Sequence, residues 1–163
     1  MSGYKEVEIN MVIDNQERLV SVLERVLGAQ VEQNVTIKQR WGHPTTVAIA
    51  IRQEQLPEEL RGFGDIGLNL KNGKFVWLSV SEYDANGYLG EGFFEKITAW
   101  QQDVQDGYAA TTFKEDGVAA SIAPRGTVIG QPEMGMVDGK NCWSLTGVMT
   151  EASLAQMGIQ VPR

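Results

Sequence analysis

Asn72-Gly73 constrains this chain more tightly than any other stretch. Both central positions of a type I′ turn need positive φ, and Asn-Gly accepts it. The apolar runs on either side are therefore expected to fold back on each other as a β-hairpin. A two-residue turn fixes the register: Leu70 faces Phe75, Leu68 faces Trp77 and Ile66 faces Ser79, while Asn69, Gly67 and Asp65 meet Val76, Leu78 and Val80. One face is apolar near the turn and the other half so, the pattern of a central hairpin packed under helices.

The flanking chain supplies strands and helices for it. Val7, Ile9, Met11 and Ile13 alternate with polar residues, as in a half-buried strand. Asp14 and Glu17 have capping-box spacing, Leu19, Leu23, Val26 and Leu27 recur at helical spacing, and Gly28 stands where a glycine closes a helix. Two alternating segments follow, one reaching Ile37 and one at residues 47–51, with Arg40-Trp41-Gly42-His43-Pro44 between them. Residues 53–64 read as a surface connection holding one helical turn, and Tyr83-Asp84-Ala85-Asn86-Gly87 as a turn. Phe93, Ile97, Trp100 and Val104 mark a second amphipathic helix with Gly107 as its natural stop. Residues 108–114 fit either more helix or the entry to a strand. Residues 118–122, 127–129 and 142–148 are predicted strands, 131–140 a loop and 151–157 a short helix. The sum is an α+β fold: an antiparallel sheet with two main helices on one face, ferredoxin-like at residues 1–123, with a β-rich extension at 124–163, all in a single domain 1–163.

Composition narrows the functions open to such a fold. With 163 residues the chain can bury most of the surface its unfolded form exposes, and 42% apolar with 21% charged residues is ordinary for a globular protein. A net charge of −7 and the lack of any basic run longer than two residues argue against nucleic acid, whose phosphates are bound by clustered Lys and Arg. Gly, Thr and Ser break every long uncharged segment, which argues against a membrane span, and the N-terminal residues lack the apolar core of a secretory signal. Cys142, the one cysteine, leaves no partner for an intrachain disulfide or a cysteine metal cluster. A reducing, cytoplasmic home is the expectation.

Chemistry-bearing groups are sparse. His43 is the one histidine, so a nucleophile–base arrangement would have to draw on it, with Asp65 or Glu82 as orienter and Ser79 or Cys142 as nucleophile. Nothing around Cys142 resembles a nucleophile elbow, and a Gly-His-Pro turn with a small apolar strand cysteine explains the same residues. Glu82, Asp84 and Asn86, with Gly87 in register, match the first half of a calcium loop. The second half fails, because Phe93 stands where the bidentate glutamate belongs, and a site would have to recruit Glu91. Gly62, Gly64 and Gly67 have the spacing of a phosphate-binding turn but precede a strand, so they are expected to relieve backbone crowding. Trp41 beside Arg40, His43 and Pro44 has the composition of an interaction tip, and equally that of an aromatic folded back on the core. Residues 132–137, rich in Met and Gly, fit a contact arm in an oligomer as well as a plain loop.

Several local motifs carry a likeness. They are the Met-Ser start leading to a capped helix, Asp65-Ile66-Gly67-Leu68 before a Gly turn and an aromatic strand, Phe93-Phe94-Glu95-Lys96-Ile97-Thr98, and Gly107-Tyr108-Ala109-Ala110-Thr111-Thr112. Over residues 1–123 the chain resembles the small proteins of cyanobacteria, plastids and some phages grouped as domain of unknown function 1257, the conserved plastid reading frame 35 family. That resemblance implies a ferredoxin-like α+β fold and brings no established activity.

The expectation for function is a non-enzymatic binding or assembly module that associates with itself, and with another protein as a further partner, without a cofactor. One alternative is a small-molecule sensor or weak enzyme with a pocket under the hairpin bounded by Arg40, His43, Asp65 and Trp77, with Trp41 a further candidate binding residue. Another is a phage accessory protein acting on a host partner.

Overall fold

Five of the predicted strands join into one antiparallel sheet, seen in a computed structural model that describes residues 4–40, 42–149 and 158. They are β1 (Lys5–Val7), β2 (Glu32–Ile37), β3 (Thr45–Ile51), β4 (Ile66–Lys71) and β5 (Lys74–Ser79), lying side by side in the order β1-β5-β4-β3-β2. Asn72 and Gly73 adopt φ of 53° and 82°, and β4 pairs with β5 in the register their turn dictates, Leu68 with Trp77 and Leu70 with Phe75. β5 is buried on both faces from Phe75 to Ser79, which makes it the spine of this sheet.

The strand order departs from a ferredoxin-like core. There the two strands joined by the first helix sit one strand apart, in a split β-α-β unit. Here β2 to β5 form a continuous meander, so β1 has to join at an edge; it pairs with β5, and β1 and β2 run parallel at opposite edges. Helix α1 (Gln16–Leu27) makes the crossover that two parallel strands require. Its cap is Asn15, whose side chain accepts from the Arg18 N–H at 3.1 Å, one residue later than the Asp14 capping box expected. Gly28 closes the helix at φ 66°, as its position foretold.

The sheet is strongly curled. Beyond β2, residues 38–40 swing across to pair antiparallel with residues 63–65, through Gln39 opposite Gly64 and hydrogen bonds from Arg40 N–H to Phe63 O and Asp65 N–H to Lys38 O. Two irregularities sit where the bend begins. Asn34 takes φ 54° inside β2, and the Ala48 N–H in β3 donates to the Asn69 side-chain oxygen at 2.9 Å. Val47 and Ala50 consequently share one cluster with Ile37 and Leu78 although strict alternation would separate them. The connection at residues 53–64 holds two 3-10 turns, Gln53–Gln55 and Glu58–Leu60, and buries Leu56, Leu60 and Phe63, so it belongs to the core rather than to the surface.

After the sheet come α2 (Glu82–Tyr88) and α3 (Phe93–Glu115). The segment read as a turn is helical because Ser81 caps it: its Oγ accepts from the Asp84 N–H and donates to the Asp84 carboxylate. Phe93, Ile97, Trp100 and Val104 are buried as predicted, and Trp100 packs against Trp77 with ring centroids 5.8 Å apart. Gly107 does not stop α3. Val104, Tyr108 and Thr111 continue the buried stripe at i, i+4 and i+7, which outweighs the roughly 1 kcal/mol that glycine costs inside a helix.

The chain divides into two units, residues 1–105 and 106–163, at a boundary inside α3. In the second unit, residues 118–122 form a short helix, α4 (Val118–Ile122), started by Gly117 at φ 79°, and not the predicted strand. The predicted strand β6 (Thr127–Ile129) pairs with β9 (Gly147–Met149). Residues expected as a loop form β7 (Glu133–Val137), which pairs with β8 (Lys140–Ser144) around Asp138-Gly139, a second turn with positive φ at both positions. One strand expected over 142–148 is thus two. The helix expected at residues 151–157 lies outside the described residues.

Close packing at Gly67 yields a direct test. A Cβ there would lie 2.7 Å from Val47 Cγ1 and 2.9 Å from Ile37 Cδ1, both on fully buried side chains. Gly67→Ala is expected to lower unfolding free energy by about 1–3 kcal/mol in denaturant titration, the usual cost of overpacking. An unchanged midpoint would show that the two side chains can yield.

Candidate functional site

The seam where residues 38–40 meet residues 63–65 is also the site of a cleft of about 480 Å³. Lys38, Gln39 and Arg40 line one side, Gly62, Gly64 and Asp65 another, and Gln53 and Glu54 the rim. Glycine is required at the base. Gly64 sits at φ 120°, and a Cβ would stand 2.7 Å from Gln39 Cα and from Lys38 O. Gly62, at φ 126°, donates its N–H to Gln53 Oε1 at 2.8 Å. Gly64 provides the expected relief of crowding between close backbones, whereas a Cβ at Gly62 would meet only the Leu89 side chain, at 3.2 Å.

Asp65 is the hub of the seam. One carboxylate oxygen accepts from Arg52 Nη1 at 3.0 Å and from the Lys38 N–H at 3.3 Å, and the other accepts from the Gln53 N–H at 3.0 Å. Arg52 reaches further, donating to the Thr36 carbonyl at 3.1 Å and pairing with Glu32. The hydrogen bond to Glu32, with those to Asp65, holds the guanidinium pKa above its ordinary value. The Asp65 carbonyl takes the Tyr4 hydroxyl at 2.7 Å, and the Tyr4 ring meets Phe63 edge-on at 5.5 Å. A carboxylate with both oxygens engaged is a brace, poorly suited to act as a general base.

The residues named from sequence part company here. Arg40 and Asp65 do line one cleft. Trp77 does not: it is 1% exposed, its ring lies on Trp100 and its indole N–H donates to Gln105 at 3.2 Å. An apolar strand residue on the doubly buried β5 had to go inward. His43 is exposed on the loop before β3 and is not among the cleft-lining residues, and Trp41 lies outside the described residues. Ser79 is buried with its Oγ unpartnered, so no base activates it, and Cys142 is exposed on β8. The calcium candidates are dispersed as well. On α2, Asp84 points about 160° away from the face shared by Glu82 and Asn86 and is buried against its own cap, while Glu91 is exposed in the turn before α3. Among the described residues no three His, Cys, Asp or Glu side chains come together as metal ligands.

Sequence reasoning missed Lys38, Gln39, Gln53 and Arg52. Gln39 is the most informative: it is 3% exposed, and its Oε1 has no hydrogen-bond partner. Its signal was faint, a single polar residue just past the end of an alternating strand. Among the described residues no helix is long and apolar enough to cross a membrane. Comparison of the chain with protein-family models, with characterised proteins and with solved structures gives no match, and so adds nothing to the resemblance drawn from local motifs.

Tyr4 gives the seam a pH signature. Burial first, and then the neighbouring Asp65 carboxylate, raise its phenol pKa well above the usual value near 10. The folded state therefore favours the neutral phenol. Stability from this group is intact below about pH 10 and falls as the pH rises beyond it, where the unfolded chain ionises first. Wild type is expected to lose more stability than Tyr4→Phe between pH 9 and 11.5, measured by denaturant midpoints. Parallel losses would mean that the phenol is free.

Proposed function

We propose that this protein is a non-enzymatic binding and assembly module that associates with copies of itself in a cytoplasmic setting. One observation carries the reading. Eight of the twelve large apolar side chains left exposed among the described residues lie in the second unit, Val12, Leu70, Tyr83 and Tyr88 being the other four. That unit is about a third of the chain, yet among the described residues each of its two sheets has only two strands, fewer than a sheet needs to be stable in water without further packing. Phe113, Ile122, Pro124, Ile129 and Met149 also border an apolar cleft of about 410 Å³ within it. A gathering of exposed apolar side chains in one unit supports an interaction surface there. Sedimentation or light scattering on the full chain is expected to give at least twice the single-chain mass at micromolar concentration. The single-chain mass at every concentration would rule out self-association.

A second reading, a small-molecule sensor, is favoured by Gln39. A buried acceptor without a partner beside a 480 Å³ cleft is a position that a ligand donor would satisfy, and the volume suits a small metabolite. A thermal-shift screen of metabolites is expected on this reading to find a stabiliser that Gln39→Leu no longer responds to. A screen without a hit would remove the reading.

A further inference from the structure

We infer that β7 is the contact edge, and that its occupant is β7 of a second copy, paired antiparallel about a two-fold axis at Gly135. This rests on the self-associating reading above and names its surface.

The hairpin register decides which backbone groups are free. Val137 and Lys140 flank the two-residue turn and so form a hydrogen-bonded pair, as do Gly135 with Cys142 and Glu133 with Ser144. The N–H and C=O of Met134 and Met136 therefore point away from β8. No strand covers that side of β7 among the described residues, and all five of its residues are exposed. On β8 the outward-facing residues are Asn141 and Trp143, and that strand begins with Lys140, a charge of the kind that guards an edge against pairing, which makes β7 the less protected of the two edges.

That edge is self-complementary. In an antiparallel pair centred on Gly135, Met134 of one copy faces Met136 of the other twice over, and these are the residues whose backbone groups are free. Four main-chain hydrogen bonds follow. Met134 and Met136, 40% and 68% exposed, bring four thioether side chains together on one face of the joined strands. On the other face Glu133 lies opposite Val137 of the second copy, so the one charged side chain of β7 meets no like charge. β7 itself carries neither lysine nor proline, the usual guards against edge pairing.

The geometry offers a covalent trap. Residues at the two-fold form a non-hydrogen-bonded pair with Cα atoms about 4.5 Å apart, within the range a disulfide spans. Gly135 has no positive φ, and a Cβ built on it meets nothing within 4 Å, so a side chain fits. Cys142 lies across from it on β8 and is changed to serine to prevent an intrachain bridge. Full-length Gly135→Cys/Cys142→Ser, oxidised mildly, is expected to run as a two-chain species on non-reducing gels and to revert on reduction. Met136→Pro removes one outward N–H without touching the ladder to β8, and is expected to lose the two-chain species in light scattering while keeping the wild-type circular dichroism spectrum. A wild-type chain of single-chain mass would overturn self-association altogether. A wild-type dimer that Gly135→Cys/Cys142→Ser fails to lock, or that Met136→Pro leaves intact, would overturn only the β7 edge.

Discussion

The seam at Asp65 is the constraint on which the first unit depends. A meander of four strands curls until its first strand runs out and its chain must cross to the entry of the third. At that crossing the backbone of residues 38–40 meets that of residues 63–65 too closely for a side chain at Gly64. Closing two segments this tightly strands polar groups, and the Asp65 carboxylate answers several at once. It takes the Lys38 and Gln53 N–H groups and the Arg52 guanidinium, while its carbonyl takes Tyr4. Segments from β1, β2, β3 and β4 thus converge on one residue. Arg52 is partly exposed, so its ion pairs are screened and modest individually; the fixed geometry of the fork is what it supplies.

The cleft opens along this crossing, with Gly62 and Gly64 among its lining residues, and at Gly64 the backbone of residues 38–40 already occupies the position a side chain would take. Gly67 serves a different need, letting Val47 and Ile37 pack over β4. Three glycines with the spacing of a phosphate-binding turn therefore do structural work, and no helix N-terminus follows them to receive a phosphate.

How much of this was legible depended on how local its cause is. The hairpin at Asn72-Gly73 and the stop at Gly28 were readable because turn and cap chemistry is decided within a few residues. Curling was not readable. It depends on Asn34, Ala48 and Asn69 acting together from three strands, and no sequence window holds all three. Helix α2 was hidden because its apolar content is slight, though Ser81 and Asp84 carried a cap signal that the Asn86-Gly87 pair obscured. Helix α3 outran Gly107 because burial beyond the glycine decides against a weak local preference. Of the residues expected around a pocket, Arg40 and Asp65 do line one cleft. Trp77 was misassigned because a tryptophan on a strand gives no hint of which face is closed.

The hairpin at Asp138-Gly139 shows the opposite failure. Its turn carries the same positive-φ signal as Asn72-Gly73, but Gly and Met content and the neighbouring Pro132 make the segment read as a loop, and every residue of β7 is exposed, so the strand has no buried face to advertise. Alternation in sequence records burial inside one chain. A strand whose partner belongs to another chain need not show it, and must instead avoid opposing like charges and side chains that block the edge. β7 meets both conditions about Gly135. A strand with no buried face within its own chain is thus what an intermolecular partner would leave behind.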